Sequence, residues 1–250
     1  MTEAVLQLEK VRKKFGALVV TDDLTLDILP NELHAVIGPN GAGKTTLINQ
    51  MSGLIAPDAG RIVFAGRDVT GLPAHVRAGL GLARSFQVSS ILPGFSALEN
   101  VALAVQARTG SSFRVLGRAD AEAALNGPAM AALTDVGLAE RARVPAGQLS
   151  HGEKRALELA IALAMEPRVL LLDEPMAGTG REETARLVSL LGKLKGRFSV
   201  VLVEHDMPAV FALADRISVL IYGRILASGT PAQVRGDPRV VAAYLGDEME

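Results

Sequence analysis

Between His34 and Gln50 the chain reads HAVIGPNGAGKTTLINQ, where strand-forming residues (His34 to Ile37) run into three glycines and then a helix-compatible segment (Thr45 to Met51). The glycine run must therefore form the turn between a strand and a helix. Gly38, Gly43, Lys44 and Thr45 stand at the spacing G-x-x-x-x-G-K-[ST], the phosphate-loop pattern. In such a turn, Gly38, Pro39, Asn40, Gly41, Ala42 and Gly43 carry few side-chain atoms to block close approach. Backbone N–H groups can then converge on an anion while the next helix presents its positive N-terminal end. Lys44 adds a full charge at β- and γ-phosphates, Thr45 offers a hydroxyl to Mg²⁺, and Thr46 continues the loop into the helix. The competing reading, a glycine-rich turn with an incidental lysine, leaves the flanking strand and helix unexplained. A phosphate loop points to a nucleotide without saying which machine uses it.

With 250 residues, 49% of them hydrophobic and 21% charged, the chain can bury a large core as one large domain or two small ones. Its net charge of −1 provides no electrostatic argument for nucleic acid or anionic lipid as a partner. The absence of cysteine excludes disulfides and thiolate metal sites, which fits a reducing compartment. The N-terminal MTEAVLQLEKVRKKF lacks the apolar core of a secretory signal. The most apolar stretches are interrupted by Glu158, Glu166, Arg168 and Asp173 before they reach membrane-spanning length. If the protein moves something across a membrane, another chain has to form the path.

Strand-like runs at Val5 to Val11, Leu24 to Ile28, Leu33 to Ile37 and Arg61 to Phe64 predict a β-rich first portion. Val169 to Asp173, Ser199 to Glu204 and Ile217 to Tyr222 alternate with helical patterns around Arg181 to Lys195 and Met207 to Ala214, as in a parallel sheet with covering helices. Between these portions, Val88 to Pro167 reads as helical and rich in alanine and leucine, with turn signals at Gly110 to Gly117 and at Gly127-Pro128. The expected fold class is α/β with a helical subdomain inserted into the core.

RVLLLDEP places an apolar strand directly before Asp173 and Glu174, at the sheet edge where an α/β fold collects ligands. Asp173 can hold Mg²⁺, usually through water, and Glu174 can polarise the water that attacks a γ-phosphate. Taken alone, two acids after a strand would read as a helix cap or a solvated turn. VVLVEHD ends another apolar strand at His205, whose ring can donate a hydrogen bond to a phosphate oxygen. Gln87, in ARSFQ, could reach Mg²⁺ and the attacking water through its amide. By itself it would be polar surface, as a lone histidine at a strand end would be structural.

The order of these stations, together with LSHGEKR at Leu149 to Arg155, resembles the ATP-binding subunits of ABC transporters. The family's motifs run aromatic A-loop, Walker A, Q-loop, signature, Walker B with glutamate, D-loop and H-loop. Here they correspond to Phe15, Gly38 to Thr46, Gln87, Leu149 to Glu153, Asp173-Glu174, Ala177 to Gly180 and His205. The resemblance covers essentially the whole chain. It implies a single P-loop NTPase domain with a RecA-like parallel sheet plus an antiparallel β portion. Residues 1–87 and 168–250 would form the catalytic core and residues 88–167 the inserted helical subdomain. ATP and Mg²⁺ are the implied cofactors. Two ATP molecules would be sandwiched in a head-to-tail homo- or heterodimer, each between Walker A of one subunit and the signature of the second ATP-binding subunit. Ser150 and Gly152 would then present free helix N–H groups to the partner's γ-phosphate. Phe15 would stack on adenine; the alternative is a buried strand-end phenylalanine.

Two motifs depart from the family pattern, the signature and the D-loop. His151 and Glu153 replace the commoner glycine and glutamine of the signature, and Ser150-x-x-Glu153 also fits a helix capping box. A carboxylate facing a γ-phosphate would repel it, so Glu153 is expected to turn back onto its own helix. Gly180 stands where the D-loop usually carries aspartate or asparagine.

GLARSFQ, the helical stretch Val101 to Leu138 and the tail SGTPAQVRGDPRVVAAYLGDE resemble the larger-type ATP-binding subunit of branched-chain amino-acid importers. LSHGEK is shared with urea and short-chain amide importers, and nothing in an ATPase site reads cargo. The resemblance implies transmembrane permease subunits as partners, a solute-binding protein indirectly, no nucleic acid, and a peripheral location at the cytoplasmic face of the inner membrane. The reading from a different class is a soluble ABC-type ATPase acting on nucleic acid or ribosomes. Such proteins carry fused cassettes, coiled coils or basic segments, which this sequence lacks.

Overall fold

The structure, a computed structural model, describes residues 3–85, 91–109 and 123–245. The chain divides into two compact units, residues 1–82 with 168–250, and residues 83–167. In chain order come β1 (Leu6–Phe15), β2 (Leu18–Ile28), β3 (Leu33–Ile37), α1 (Lys44–Ser52), β4 (Ala59–Phe64), β5 (Arg67–Asp68), α2 (Ala74–Gly79) and β6 (Leu82–Arg84). The second unit holds α3 (Ala97–Thr109), α4 (Ala123–Asp135) and α5 (His151–Ala164). The first resumes with β7 (Val169–Asp173), α6 (Arg181–Leu194), β8 (Ser199–Val203), α7 (Met207–Leu213), β9 (Arg216–Ile221), β10 (Arg224–Gly229) and α8 (Pro231–Arg235). Among the described residues no helix is long and apolar enough to cross a membrane.

Two sheets build the first unit. The smaller is antiparallel, in the order β2-β1-β4-β5; the larger runs β10-β9-β3-β8-β7-β6, with β9, β3, β8 and β7 parallel and β10 antiparallel to β9. Every residue of β3, β7 and β8 is buried, which is why these strands read as mostly apolar, without alternation, the polar exceptions being His34, Asp173 and Ser199. β1 and β2 mix buried and exposed positions, as strands with one wet face do. Leu6, Leu8, Ile28, Ile62 and Phe64 from the small sheet meet Leu47, Ile48 and Met51 of α1 and Leu171 and Val201 of the large sheet in one core. Helix α1 is thereby clamped by the residues on its buried face, and its N-terminus is held where β3 ends.

In the second unit, the buried residues Val101 and Val105 of α3, Leu125, Ala129 and Leu133 of α4, and Leu157 and Ala160 of α5 supply the apolar faces of a helical cluster. The turn expected at Gly127-Pro128 does not form, because Pro128 lies inside α4. Proline removes one N–H and crowds the preceding turn, but the Ala/Leu-rich flanks and burial on both sides of it outweigh that local signal. The second expected turn, Gly110 to Gly117, lies outside the described residues.

Candidate functional site

Strand β8 lies between β3 and β7, and its Val203 stands opposite both Val36 of β3 and Asp173 of β7. The three strands therefore end level. The chain leaves them at Gly38, Glu174 and Glu204, along the carboxyl edge where open α/β sheets collect ligands.

The glycines of the first turn are dictated by backbone on either side. A Cβ on Gly38 would lie 2.1 Å from the Leu220 carbonyl oxygen, and one on Gly43 would lie 2.6 Å from that of Val20, with φ at Gly43 already 105°. The turn is thus threaded between β2 and the end of β9, and Gly223 N–H, in the β9–β10 turn, donates to Ala42 O at 3.1 Å. Gly38 is buried, whereas Asn40, Gly41 and Thr45 are exposed and Pro39, Gly43 and Thr46 lie between. Lys44 folds back over the turn, its Nζ donating to Gly38 O at 2.6 Å and Pro39 O at 3.2 Å. Burial pushes its ammonium pKa down, opposed by the charges of Glu174, Asp173 and Glu204. One cation and three carboxylates thus share this edge of the sheet.

Asp173 closes β7 and is 4% exposed, while Glu174 is half-buried with φ of 47°. A left-handed backbone at a non-glycine residue costs about 1–2 kcal/mol and persists only where its surroundings impose it. Here Glu174 N–H donates to Val203 O at 2.9 Å and Glu174 O accepts Ala177 N–H at 3.1 Å. His205 follows β8 with its side chain exposed. Between strand and histidine sits Glu204, which reading the sequence for its histidine passes over. It is fully buried and accepts Met176 N–H at 2.7 Å and His205 N–H at 2.9 Å. Its signal was an acid closing a run of buried aliphatics.

Phe15 ends β1 opposite Leu18 and is 48% exposed, which removes the alternative of a buried phenylalanine; Lys13 Nζ lies 5.6 Å from its ring centre. Gln87 lies outside the described residues. Ser150 and Gly152 belong to the second unit, where Ser150 caps α5 and Gly152 lies in its first turn. The capping box expected there is present: Ser150 N–H donates to Glu153 Oε2 at 2.8 Å and Glu153 N–H to Ser150 Oγ at 3.3 Å. That backbone hydrogen bond, above all, holds the Glu153 carboxyl below its ordinary pKa. Arg141 adds an ion pair to Glu153 at 2.9 Å, a contact with no counterpart in the sequence pattern. In the first unit, Gly180 is the N-cap of α6 and offers no side-chain cap.

Among the described residues no group of three or more His, Asp or Glu side chains could hold a metal ion by itself. The hard oxygen donors present, the Thr45 hydroxyl and the Asp173 carboxylate, fit Mg²⁺, which ordinarily keeps waters and phosphate oxygens in its shell and takes only one or two protein ligands.

A family model described as "ABC transporter" matches residues 21–177, and one described as "Branched-chain amino acid ATP-binding cassette transporter" matches residues 224–250. The chain is 36% identical over 259 residues to the high-affinity branched-chain amino acid transport ATP-binding protein LivG of Escherichia coli (strain K12), covering 99% of this chain and 100% of LivG. It is 37% identical over 256 residues to BraF of Pseudomonas aeruginosa, which carries the same description, at the same coverage. A crystal structure of the ADP conformation of MJ1267, an ATP-binding cassette of an ABC transporter, superposes with a TM-score of 0.85 at 27% identity, over 98% of this chain and 100% of that one.

Proposed function

Because the chain belongs to the ABC transporter family and is one of its ATP-hydrolysing subunits, we propose that it drives the import of branched-chain amino acids through separate transmembrane permease subunits. It would sit peripherally at the cytoplasmic face of the inner membrane, with a solute-binding protein delivering cargo to the permease. The cargo reading is supported by full-length similarity to LivG and BraF and by the matched tail at residues 224–250. The catalytic reading is carried by one observation, the level ending of β3, β8 and β7. It brings the Lys44 loop, Asp173, Glu174 and His205 to one edge.

Lys44 would exchange its two loop carbonyls for phosphate oxygens, and Phe15, half-exposed, would stack on adenine. Glu174 would take the proton of the attacking water as general base. His205 would donate to a γ-phosphate oxygen, and Gln87 would orient the water. Thr45, Asp173 and Gln87 would hold Mg²⁺, which when bound supplies charge neutralisation at the β- and γ-oxygens. Ser150 and Gly152 would complete the nucleotide site of a second ATP-binding subunit, which makes ATP the ligand of a head-to-tail dimer. We read residues 1–87 and 168–250 as the catalytic core of one ATP-binding domain and 88–167 as its inserted helical subdomain.

Glu174→Gln is the decisive variant. It should bind ATP, lose hydrolysis by a factor on the order of 10² or more, and sediment as a dimer with Mg-ATP but not with Mg-ADP. If the physiological partner is a sister ATPase, mixing the two should produce the same response. Wild-type hydrolysis in this variant would remove Glu174 as the base, and association indifferent to ATP in both settings would remove the sandwich. For cargo, vesicles carrying the co-purified permease should take up leucine with ATP. Uptake of urea or a short-chain amide instead would overturn the amino-acid assignment.

A further inference from the structure

Glu204 is a buried ionisable group at the carboxyl edge of the sheet that the mechanism above leaves unused. Glu204 has no exposed side-chain surface, and among the described residues its carboxylate makes a single ion-pair contact, with the exposed His205 ring at 3.7 Å. Placing a carboxylate there is unfavourable unless hydrogen bonds replace its water. The bonds it makes go to two separate loops. Oε1 accepts the N–H of Met176 at 2.7 Å, two residues beyond Glu174, and Oε2 accepts the N–H of His205 at 2.9 Å, with Asp206 N–H at 3.5 Å.

We infer that Glu204 is a positioning residue that fixes Glu174 and His205 relative to each other. The inference rests on the catalytic reading of those two residues. Three features carry it. First, Glu174 is held at φ 47°, which its own residue type disfavours, so something beyond it must impose the conformation. The tie on one side is Glu174 N–H to Val203 O at 2.9 Å, and the tie on the other is Met176 N–H to Glu204. Together they bracket the strained residue against the end of β8. Second, the same carboxylate holds the backbone of His205, so one rigid group references both loops. Third, its charge reaches Lys44, so the strut also adds to the field at the phosphate loop. A neutral cap would satisfy one loop; a carboxylate with two oxygens accepts from both without presenting a donor to either.

Two substitutions separate the possible roles. In Glu204→Gln, one end of the amide is a donor facing a backbone donor, so one of the two loop bonds must be lost while shape is kept. In Glu204→Asp the charge stays and the adjacent His205 N–H remains within reach, but the side chain is one methylene too short for Met176. Both should bind ATP within about twofold of wild type and hydrolyse it 10- to 100-fold more slowly in single turnover, since a displacement of about 1 Å in a reacting group costs on that order. The Met176 amide should exchange its hydrogen faster in Glu204→Asp, and either the Met176 or the His205 amide should do so in Glu204→Gln, a readout independent of any catalytic assignment. Unchanged Met176 exchange in Glu204→Asp would overturn the strut. Full hydrolysis in Glu204→Asp with loss in Glu204→Gln would show that charge, not position, is what matters, and would overturn it equally. If Glu174→Gln hydrolyses normally while Met176 exchange still rises in Glu204→Asp, the catalytic reading fails and the strut stands. If Glu204→Gln fails to fold, the aspartate variant decides alone.

Discussion

Arg77 offers a large stability effect that can be worked from the structure, and it lies outside the nucleotide motifs. It sits in α2, 1% exposed, and its guanidinium donates to four carbonyl oxygens: Gln50 and Met51 at 2.7 Å each, Leu72 at 2.9 Å and Thr70 at 3.0 Å. Gln50 and Met51 belong to the last turn of α1, whose carbonyls lack the i+4 N–H partners of the helix interior and whose dipole favours a cation, although Gly53 N–H also reaches Gln50 O at 3.2 Å. Arg77→Met keeps the length of the side chain and removes every donor. At about 1.5–3 kcal/mol for each bond to a charged group, the gross loss over four bonds would be about 6 kcal/mol or more. The variant is also relieved of burying a guanidinium, worth several kcal/mol, which leaves a net destabilisation of about 3–5 kcal/mol. For a chain of this size that lowers the melting temperature by about 6–20 °C, followed by circular dichroism at fixed protein concentration. Arg77→Lys, with a point charge unable to span four oxygens, should fall between the two. Since α1 carries Lys44 at its other end, the methionine variant should also raise the KM for ATP. A methionine variant melting within about 2 °C of wild type would refute this account of how α1 is held.

Ser150→Ala removes the acceptor for Glu153 N–H and should destabilise by about 1 kcal/mol in urea titration. Glu153→Gln, which still fits the box, should change stability little and leave ATP affinity unchanged or slightly better; a large loss of affinity by nucleotide titration would place the carboxylate on nucleotide or metal. Gly43→Ala should abolish ATP binding or folding, because its Cβ would meet Val20 O at 2.6 Å on a backbone with φ of 105°; a stable, ATP-binding alanine variant would contradict the geometry. His34 is buried in β3 between Glu32 Oε1 at 3.2 Å and Ser218 Oγ at 2.8 Å, and burial pushes its pKa below the usual value, against the opposing pull of Glu32. The unfolded chain therefore takes up a proton as the pH falls below about 6.5 that the folded histidine refuses. Stability from this group is full above that pH and is lost at up to about 1.4 kcal/mol per pH unit on the way down to its folded pKa. His34→Gln should remove that part of the slope between pH 7.5 and 5.5 (about one unit either side of the ordinary value) in urea titrations; an unchanged slope would refute it.

The sequence by itself determined what is local. A strand, three glycines and a helix start can be read from His34 to Gln50 because turn chemistry is written in neighbouring residues. β3, β7 and β8 show as mostly apolar runs without alternation because both their faces are covered. The Ser150 capping box is likewise a three-residue spacing, and it forms as read. Gly127-Pro128 misled because its local turn preference was overridden by burial of the residues around it in α4. Only the tertiary structure decided that β8 stands between β3 and β7, which is what brings Glu204 to the loop after Asp173. Arg141 reaching Glu153 and Arg77 reaching the end of α1 are decided the same way. In a sequence each of these residues is a charge with the prior of a solvated surface. What makes it a buried cap or strut is a donor or acceptor brought within about 3 Å by chain that is distant in sequence, and no periodicity or local propensity encodes that distance.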